Sequence, residues 1–273
     1  MNRIAILLVL SLVYSGLQAH GELDKRIKEL SIKILDAPQN TSLFLARGEL
    51  YYQHEDYDLS VEDFKVCEER GYISDRLNLN LAKAYRLLKT YDLSDHYANK
   101  VLANYPKHVL ALKVKAKTAF DKKEYLRSAN LFKEVVAYVD GTHTDNYFEI
   151  ISALEFCGTK ECIQEAIVIT ESGINDLGEL MVFLDKGVSL SLRLKDFNGA
   201  HNFQNRIIQN AQRKERKYFQ KAILFQEQGM YEEAQEMFES SLAALDKLPN
   251  RIKNNRASAK LRAQIVDHLS SIR

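Results

Sequence analysis

Beyond the first twenty residues, apolar side chains recur three and four places apart along almost the whole chain. No stretch alternates apolar with polar residues between turn signals, as a strand would. The pattern predicts helices joined by short turns. A longer period runs through it. An aromatic residue followed three positions on by a small one recurs at Tyr57/Ser60, Tyr91/Ser94, Tyr125/Ser128, Phe197/Ala200 and Tyr231/Ala234, in a frame of 34 residues. One further unit, whose small residue is Ala166, is out of step. With the aromatic set at place seventeen, the first unit opens at Thr41. It carries Phe44 at place four, Gly48 at eight, Tyr51 at eleven, Ser60 at twenty, Phe64 at twenty-four and Cys67 at twenty-seven. Small residues at eight and twenty let two antiparallel helices approach closely, and the bulky ones fill the space to the next unit.

The frame continues with Ala82, Tyr85, Ala98 and Val101, then with Leu112, Ala116, Ala119, Phe132 and Val135, and later with Leu184, Val188 and Ile207. Its last turn has Tyr218, Ala222 and Phe225, then Gly229-Met230-Tyr231-Glu232-Glu233-Ala234 and Phe238. Pro38, Pro106 and Pro249 fall just past predicted helices, where a residue unable to continue a helix belongs. In these residues the chain resembles the tetratricopeptide repeat family. Asn78 at place four of the second unit and the absence of Gly at place eight after Gly48 depart from the family pattern. The resemblance implies an all-α, right-handed solenoid of about six helix-turn-helix repeats, near 41–74, 75–108, 109–142, 143–180 (irregular), 181–214 and 215–248. Capping helices are expected over 20–40 and 249–273, with one continuous array between them.

It also implies what the fold is for. In this family the concave surface is lined by places two, five, nine, twelve and thirteen of each unit, and it holds proteins or peptides. Here those places hold Leu45, Glu49, Tyr52 and Gln53, then Arg76, Leu79, Lys83 and Arg86, then Leu110, Lys113, Lys117 and Phe120. Farther along come Tyr147 and Ile151, Asp185, Ser189 and Arg193, and Arg216, Phe219 and Gln226. Five cations, Arg76, Lys83, Arg86, Lys113 and Lys117, are thereby expected on one groove, suiting an acidic or carboxylate-ended peptide. Tyr52 and Phe120 are expected to cover its apolar side chains. The alternative is a solvated helix face. Leu45 and Glu49 stand where the family's chaperone-tail clamp has Lys and Asn, so chaperone C-termini are not the expected guests.

The first nineteen residues are a different object. Met1-Asn2-Arg3 is a short basic start, Ile4 to Val13 is nearly all apolar, and Gly16-Leu17-Gln18-Ala19 supplies small residues for a peptidase. This predicts an export signal and a periplasmic or secreted protein. The competing reading is an uncleaved anchor. The apolar run is shorter than the roughly 20 residues a membrane-spanning helix needs, so no stable membrane insertion is expected after cleavage.

Charge adds little: 38 Lys and Arg against 37 Asp and Glu leave a formal +1, with no pull toward nucleic acid. No phosphate loop, His-Glu-x-x-His helix or nucleophile elbow is present, so neither catalysis nor a cofactor is expected. Cys157 and Cys162 flank the turn of the irregular unit, either as a disulfide in an oxidising compartment or as two small apolar side chains. Cys67 sits at a packing place and is read as a buried hydrophobe. Cleavage after Ala19 would expose His20, whose amine and imidazole form a copper-chelating pair, with His54 as a further ligand if the terminus folds back. Metal handling through His20 is one alternative to a binding scaffold, and a structural part of an envelope complex is another.

Overall fold

The computed structural model describes residues 21–139 and 143–272. The segment expected to be an export signal and His20 lie outside them. Every regular element among the described residues is a helix. Helix α1 covers 21–36. Three hairpins follow: α2 (Thr41–Gln53) with α3 (Tyr57–Glu69), α4 (Asp75–Leu87) with α5 (Tyr91–Asn104), and α6 (Val109–Asp121) with α7 (Tyr125–Tyr138). Three more are α8 (Thr144–Cys157) with α9 (Lys160–Leu177), α10 (Met181–Arg193) with α11 (Phe197–Asn210), and α12 (Glu215–Glu227) with α13 (Tyr231–Asp246). The chain ends in α14 (Asn250–Lys253) and α15 (Arg256–Ile272). It divides after Gly141 into two compact units.

Each aromatic at place seventeen is the first residue of a second helix, and the turn before it is built the same way five times. Glu55, Lys89, Lys123, Lys195 and Gly229 all have positive φ, between 56° and 75°. The following N–H reaches back to close the first helix: Asp56 to Tyr51 O at 2.9 Å, Thr90 to Tyr85 O at 2.9 Å, Glu124 to Ala119 O at 2.8 Å, Asp196 to Ser191 O at 2.9 Å and Met230 to Phe225 O at 3.0 Å. This is the Schellman closure, and its left-handed position favours glycine. Only the last of the five turns has it. Replacing the exposed Lys89 and Lys123 by Gly is expected to stabilise the first unit by about 1 kcal/mol each, since the left-handed conformation costs an L-residue about that much. Urea midpoints of the single and double variants check this.

Inside the hairpins the small places do what the spacing predicts. Gly48 lies where a Cβ would come within 2.7 Å of the Phe64 ring, and Phe64 is fully buried. Ser60 and Ser94 add a bond that alanine could not make, donating from Oγ to Gly48 O and Ala82 O, each at 2.8 Å. Ser94 Oγ also meets Thr118 Oγ1 of the next hairpin at 2.9 Å. In α10 and α11 the fit moves by one residue. Gly187, not Val188, receives a ring, because a Cβ there would stand 2.4 Å from Phe203.

The caps differ in kind. Helix α1 buries Ile27 and Ile34 and is tied to the first hairpin through Arg47, which donates to Ser31 Oγ at 3.0 Å and grips Asp63 with two bonds of 2.7 and 2.8 Å. The expected single helix over 249–273 is instead two. It breaks at Asn255, whose Oδ1 accepts from Ser258 N at 2.8 Å and starts α15 as an N-cap. Leu261 and Ile265 of α15 then join Phe238 and Leu245 in the core of the last hairpin.

Neighbouring second helices are tied by Glu68. Lys65 Nζ (2.5 Å), Tyr97 Oη (2.9 Å) and Lys100 Nζ (3.1 Å) all donate to its carboxylate. Burial alone would raise its pKa, but these three donors outweigh that and hold it down at about 2. A carboxyl depressed in the folded state contributes stability above its unfolded pKa, and that contribution is lost as pH falls through the folded one. Its window is therefore pH 4.5 down to 2. With the side chain a quarter exposed and solvent-screened, Glu68→Gln is expected to cost about 1–2 kcal/mol at pH 7 and to flatten the stability curve across that window.

Candidate functional site

The sequence-predicted surface is carried by the first helices of the first unit. Helix α4 starts at Ser74, whose Oγ accepts from Leu77 N at 3.1 Å. It buries Leu77, Leu81, Ala82 and Ala84 on one side, leaving Arg76, Lys83 and Arg86 on the other. Helix α6 starts at His108, whose Nδ1 accepts from Ala111 N at 3.2 Å. It buries Leu112, Val114, Ala116 and Ala119 and offers Lys113 and Lys117.

Arg76 and Arg86 have carboxylate partners within the chain. Arg76 holds Glu49 with two bonds of 2.5 and 2.7 Å, and Asn80 Nδ2 adds a third at 2.8 Å. Arg86 Nη1 meets Asp121 at 2.8 Å. Each pair joins one first helix to the next, so these groups form walls of the surface. Lys83 and Lys113 are half-buried, and neither has a carboxylate partner among the described residues. Lys117 is exposed beside them. The aromatics flank the cations. Tyr52 stands edge-on to Tyr57 with ring centres 5.5 Å apart, and Phe120 stands edge-on to Tyr125 at 5.3 Å. Burial pushes the Tyr52 hydroxyl pKa up, and the nearby Arg86 charge opposes that shift. A cleft of about 300 Å³ extends the surface onto α1, between Arg26, Leu30 and Lys33 on one side and Glu49, Leu50 and Gln53 on the other.

Place five is a correction. Leu45 and Leu79, expected on the open face, are 5 % and 8 % exposed, because adjacent first helices close over that place. Leu110, at place two, is open at 50 %. In the irregular unit the register slips, and Tyr147 and Ile151 are buried, with the Tyr147 hydroxyl bonded to Asp176. The open side of α8 instead carries Asp145, Phe148, Glu149, Ser152 and Glu155, around a cleft of about 500 Å³ that Lys186 closes through a 2.9 Å bond to Glu155. The residue spacing signalled this unit as out of step, but not by how much. The inter-repeat pairs Glu49–Arg76 and Arg86–Asp121 were also missed, although opposite charges at facing places of successive units were there to be read.

The hairpin α8–α9 lacks the shared turn. Cys157, the last residue of α8, is joined by a disulfide to Cys162 in the first turn of α9, with Cα atoms 6.2 Å apart. Gly158 takes the left-handed position and Thr159 Oγ1 accepts from Cys162 N at 3.2 Å. Cys67 is buried and free, its thiol pushed up by burial to about 11. His54 has Nδ1 2.7 Å from Asp56 and Nε2 3.3 Å from Asp24. Among the described residues no group of three or more His, Cys, Asp or Glu is placed to hold a metal ion, and no helix is long and apolar enough to cross a membrane.

Successive hairpins of paired helices, five of the six closed by the same turn, match known structures over nearly the full chain. A tetratricopeptide repeat protein of Parabacteroides merdae superposes with a TM-score of 0.53 at 13 % identity, covering 94 % of this chain and 97 % of that one. The chain has the tetratricopeptide repeat fold. The C-terminal part of a repeat-containing protein from Cytophaga hutchinsonii gives a TM-score of 0.63 at 10 % identity, covering 90 % of this chain and 97 % of the other. PilW, a type IV pilus biogenesis factor, gives 0.54 at 18 % identity over 77 % of this chain and 94 % of its own. By sequence, no protein family profile and no curated protein matches.

Proposed function

We propose that this tetratricopeptide-fold chain is an exported, non-catalytic scaffold that holds an acidic or carboxylate-ended segment of another protein against the first helices of its first unit. The observation that carries this reading is the pair Lys83 and Lys113. Arg76 and Arg86 on the same face are already matched by carboxylates of the chain, and these two lysines are not. A guest carboxylate would gain charge-assisted bonds there without first breaking an internal pair. Tyr52 and Phe120 flank the lysines and supply apolar contact area. The apolar segment before residue 20 and the Cys157–Cys162 bridge support export into an oxidising compartment.

The test starts with crosslinked capture of partners by the full chain in an exporting host, followed by affinity measurements on the captured protein. Lys83→Glu with Lys113→Glu is expected to weaken binding at least tenfold, with the wild-type affinity falling as salt rises. Unchanged affinity in the double variant, with helicity intact, would mean that the partner sits on another face. Sequencing the mature terminus in the same sample reads the export step, and an intact Met1 would refute it.

A further inference from the structure

Each pair of helices is antiparallel, so the connections between hairpins of the first unit all fall along one edge. Four apolar side chains stand out from that edge: Leu35 at 80 % exposure, Ile73 at 85 %, Tyr105 at 56 % and Tyr138 at 39 %. Three contacts join the connections that carry them. Arg70 Nη1 donates to Pro38 O at 2.5 Å, Asn104 Nδ2 donates to Asp75 Oδ1 at 3.3 Å, and Lys107 Nζ lies 5.2 Å from the Tyr138 ring centre. Single exposed apolar residues are ordinary, whereas a connected row of them marks an interaction surface.

Beside Ile73 the edge opens into a cleft of about 440 Å³. Its walls are Tyr72, Leu77 and Ala103, and its polar end is Lys100 and Glu68, already bonded to each other at 3.1 Å. Ile73 stands on the rim and does not fill the space, as its exposure shows. The patch thus holds a protruding apolar knob and an apolar hole side by side. It also carries both signs of charge, Asp75 with Arg70 and Lys107. A surface complementary to itself in both shape and charge is what a two-fold interface requires, because each copy must present knob and hole at once. A separate apolar peptide would occupy the hole and leave Ile73 in water.

We infer that this edge is a two-fold self-association surface, with Ile73 of each copy seated in the cleft between Tyr72, Leu77 and Ala103 of the other. The surface uses none of the residues of the proposed groove, so the two readings stand or fall separately. Burying Ile73 and its neighbours from two copies removes the most exposed apolar side chain of the described chain from water. The Lys100–Glu68 pair enters the interface already matched, so no lone charge is buried.

Sedimentation equilibrium of the purified full chain between 1 and 100 µM is the test, where dimers are expected. Ile73→Asp is expected to raise the dimer dissociation constant at least tenfold, and at an exposed position it should leave helicity and the thermal midpoint as they are. In a second measurement, Ile73→Cys combined with Ala103→Cys should give a covalent dimer on mild oxidation, with residue 73 of one copy linked to residue 103 of the other in the peptide map. A chain that stays monomeric throughout the range, a dimer indifferent to Ile73→Asp, or a crosslink lacking the 73-to-103 peptide would each overturn the inference.

Discussion

Phe183→Ala is expected to lower the unfolding free energy of the second unit by about 3–5 kcal/mol, the range for emptying a fully buried phenylalanine site. The ring is at 0 % exposure. It stacks on Phe148 at 5.0 Å and meets Tyr147 edge-on at 6.0 Å, and it covers Gly173 so closely that a Cβ there would lie 2.7 Å away. It therefore fills the junction of α8, α9 and α10, whose walls are rigid helices with little freedom to collapse on the cavity. Urea unfolding followed by circular dichroism measures the loss. Hydrogen exchange locates it, with amides of α8 to α10 expected to lose most protection. A change below about 1 kcal/mol would mean that the hairpins are not held together through this ring.

The second large effect is covalent. Removing the Cys157–Cys162 bridge, as Cys157→Ser with Cys162→Ala, is expected to cost about 2 kcal/mol, the chain-entropy value for a closed loop of about six residues. Elsewhere a hairpin turn is held by the Schellman bonds and by an aromatic at place seventeen packed on the first helix, as in Tyr52–Tyr57 and Phe120–Tyr125. The α8–α9 turn has neither the shared closure nor the aromatic, and the bridge replaces both. Dithiothreitol should lower the midpoint of the wild-type chain as much as the double substitution does, and should leave the substituted chain unmoved. A substituted chain as stable as the wild type would show that Gly158 and the Thr159 cap suffice to hold the turn.

The repeat frame carried the fold further than it carried the surface. Helix pairs, the starts of second helices at Tyr57, Tyr91, Tyr125, Phe197 and Tyr231, and the close approach at Gly48 and Phe64 all follow from period and side-chain size, which are local properties. Leu45 and Leu79 were misplaced because an apolar side chain at place five goes inward or outward according to the neighbouring helix. Tyr147 and Ile151 were misplaced because an irregular unit shifts its register by an amount that only packing around Phe183 sets. The one-residue shift of the tight fit from Val188 to Gly187 has the same origin in the ring of Phe203.

What the sequence by itself determined is therefore the helix content, the turn positions and the set of cations on α4 and α6, since these depend on residue type at fixed spacing. Only the tertiary structure decided which of those cations already have partners. Glu49 lies 27 residues before Arg76 and Asp121 lies 35 residues after Arg86, so whether they meet depends on how successive hairpins stack. The same holds for the exposed edge at Ile73, which looks like one more apolar residue in a loop until the stacking leaves it beside an open cleft. Spacing along one helix is set by its geometry, but contacts between helices are set by the mutual fit of all the side chains between them.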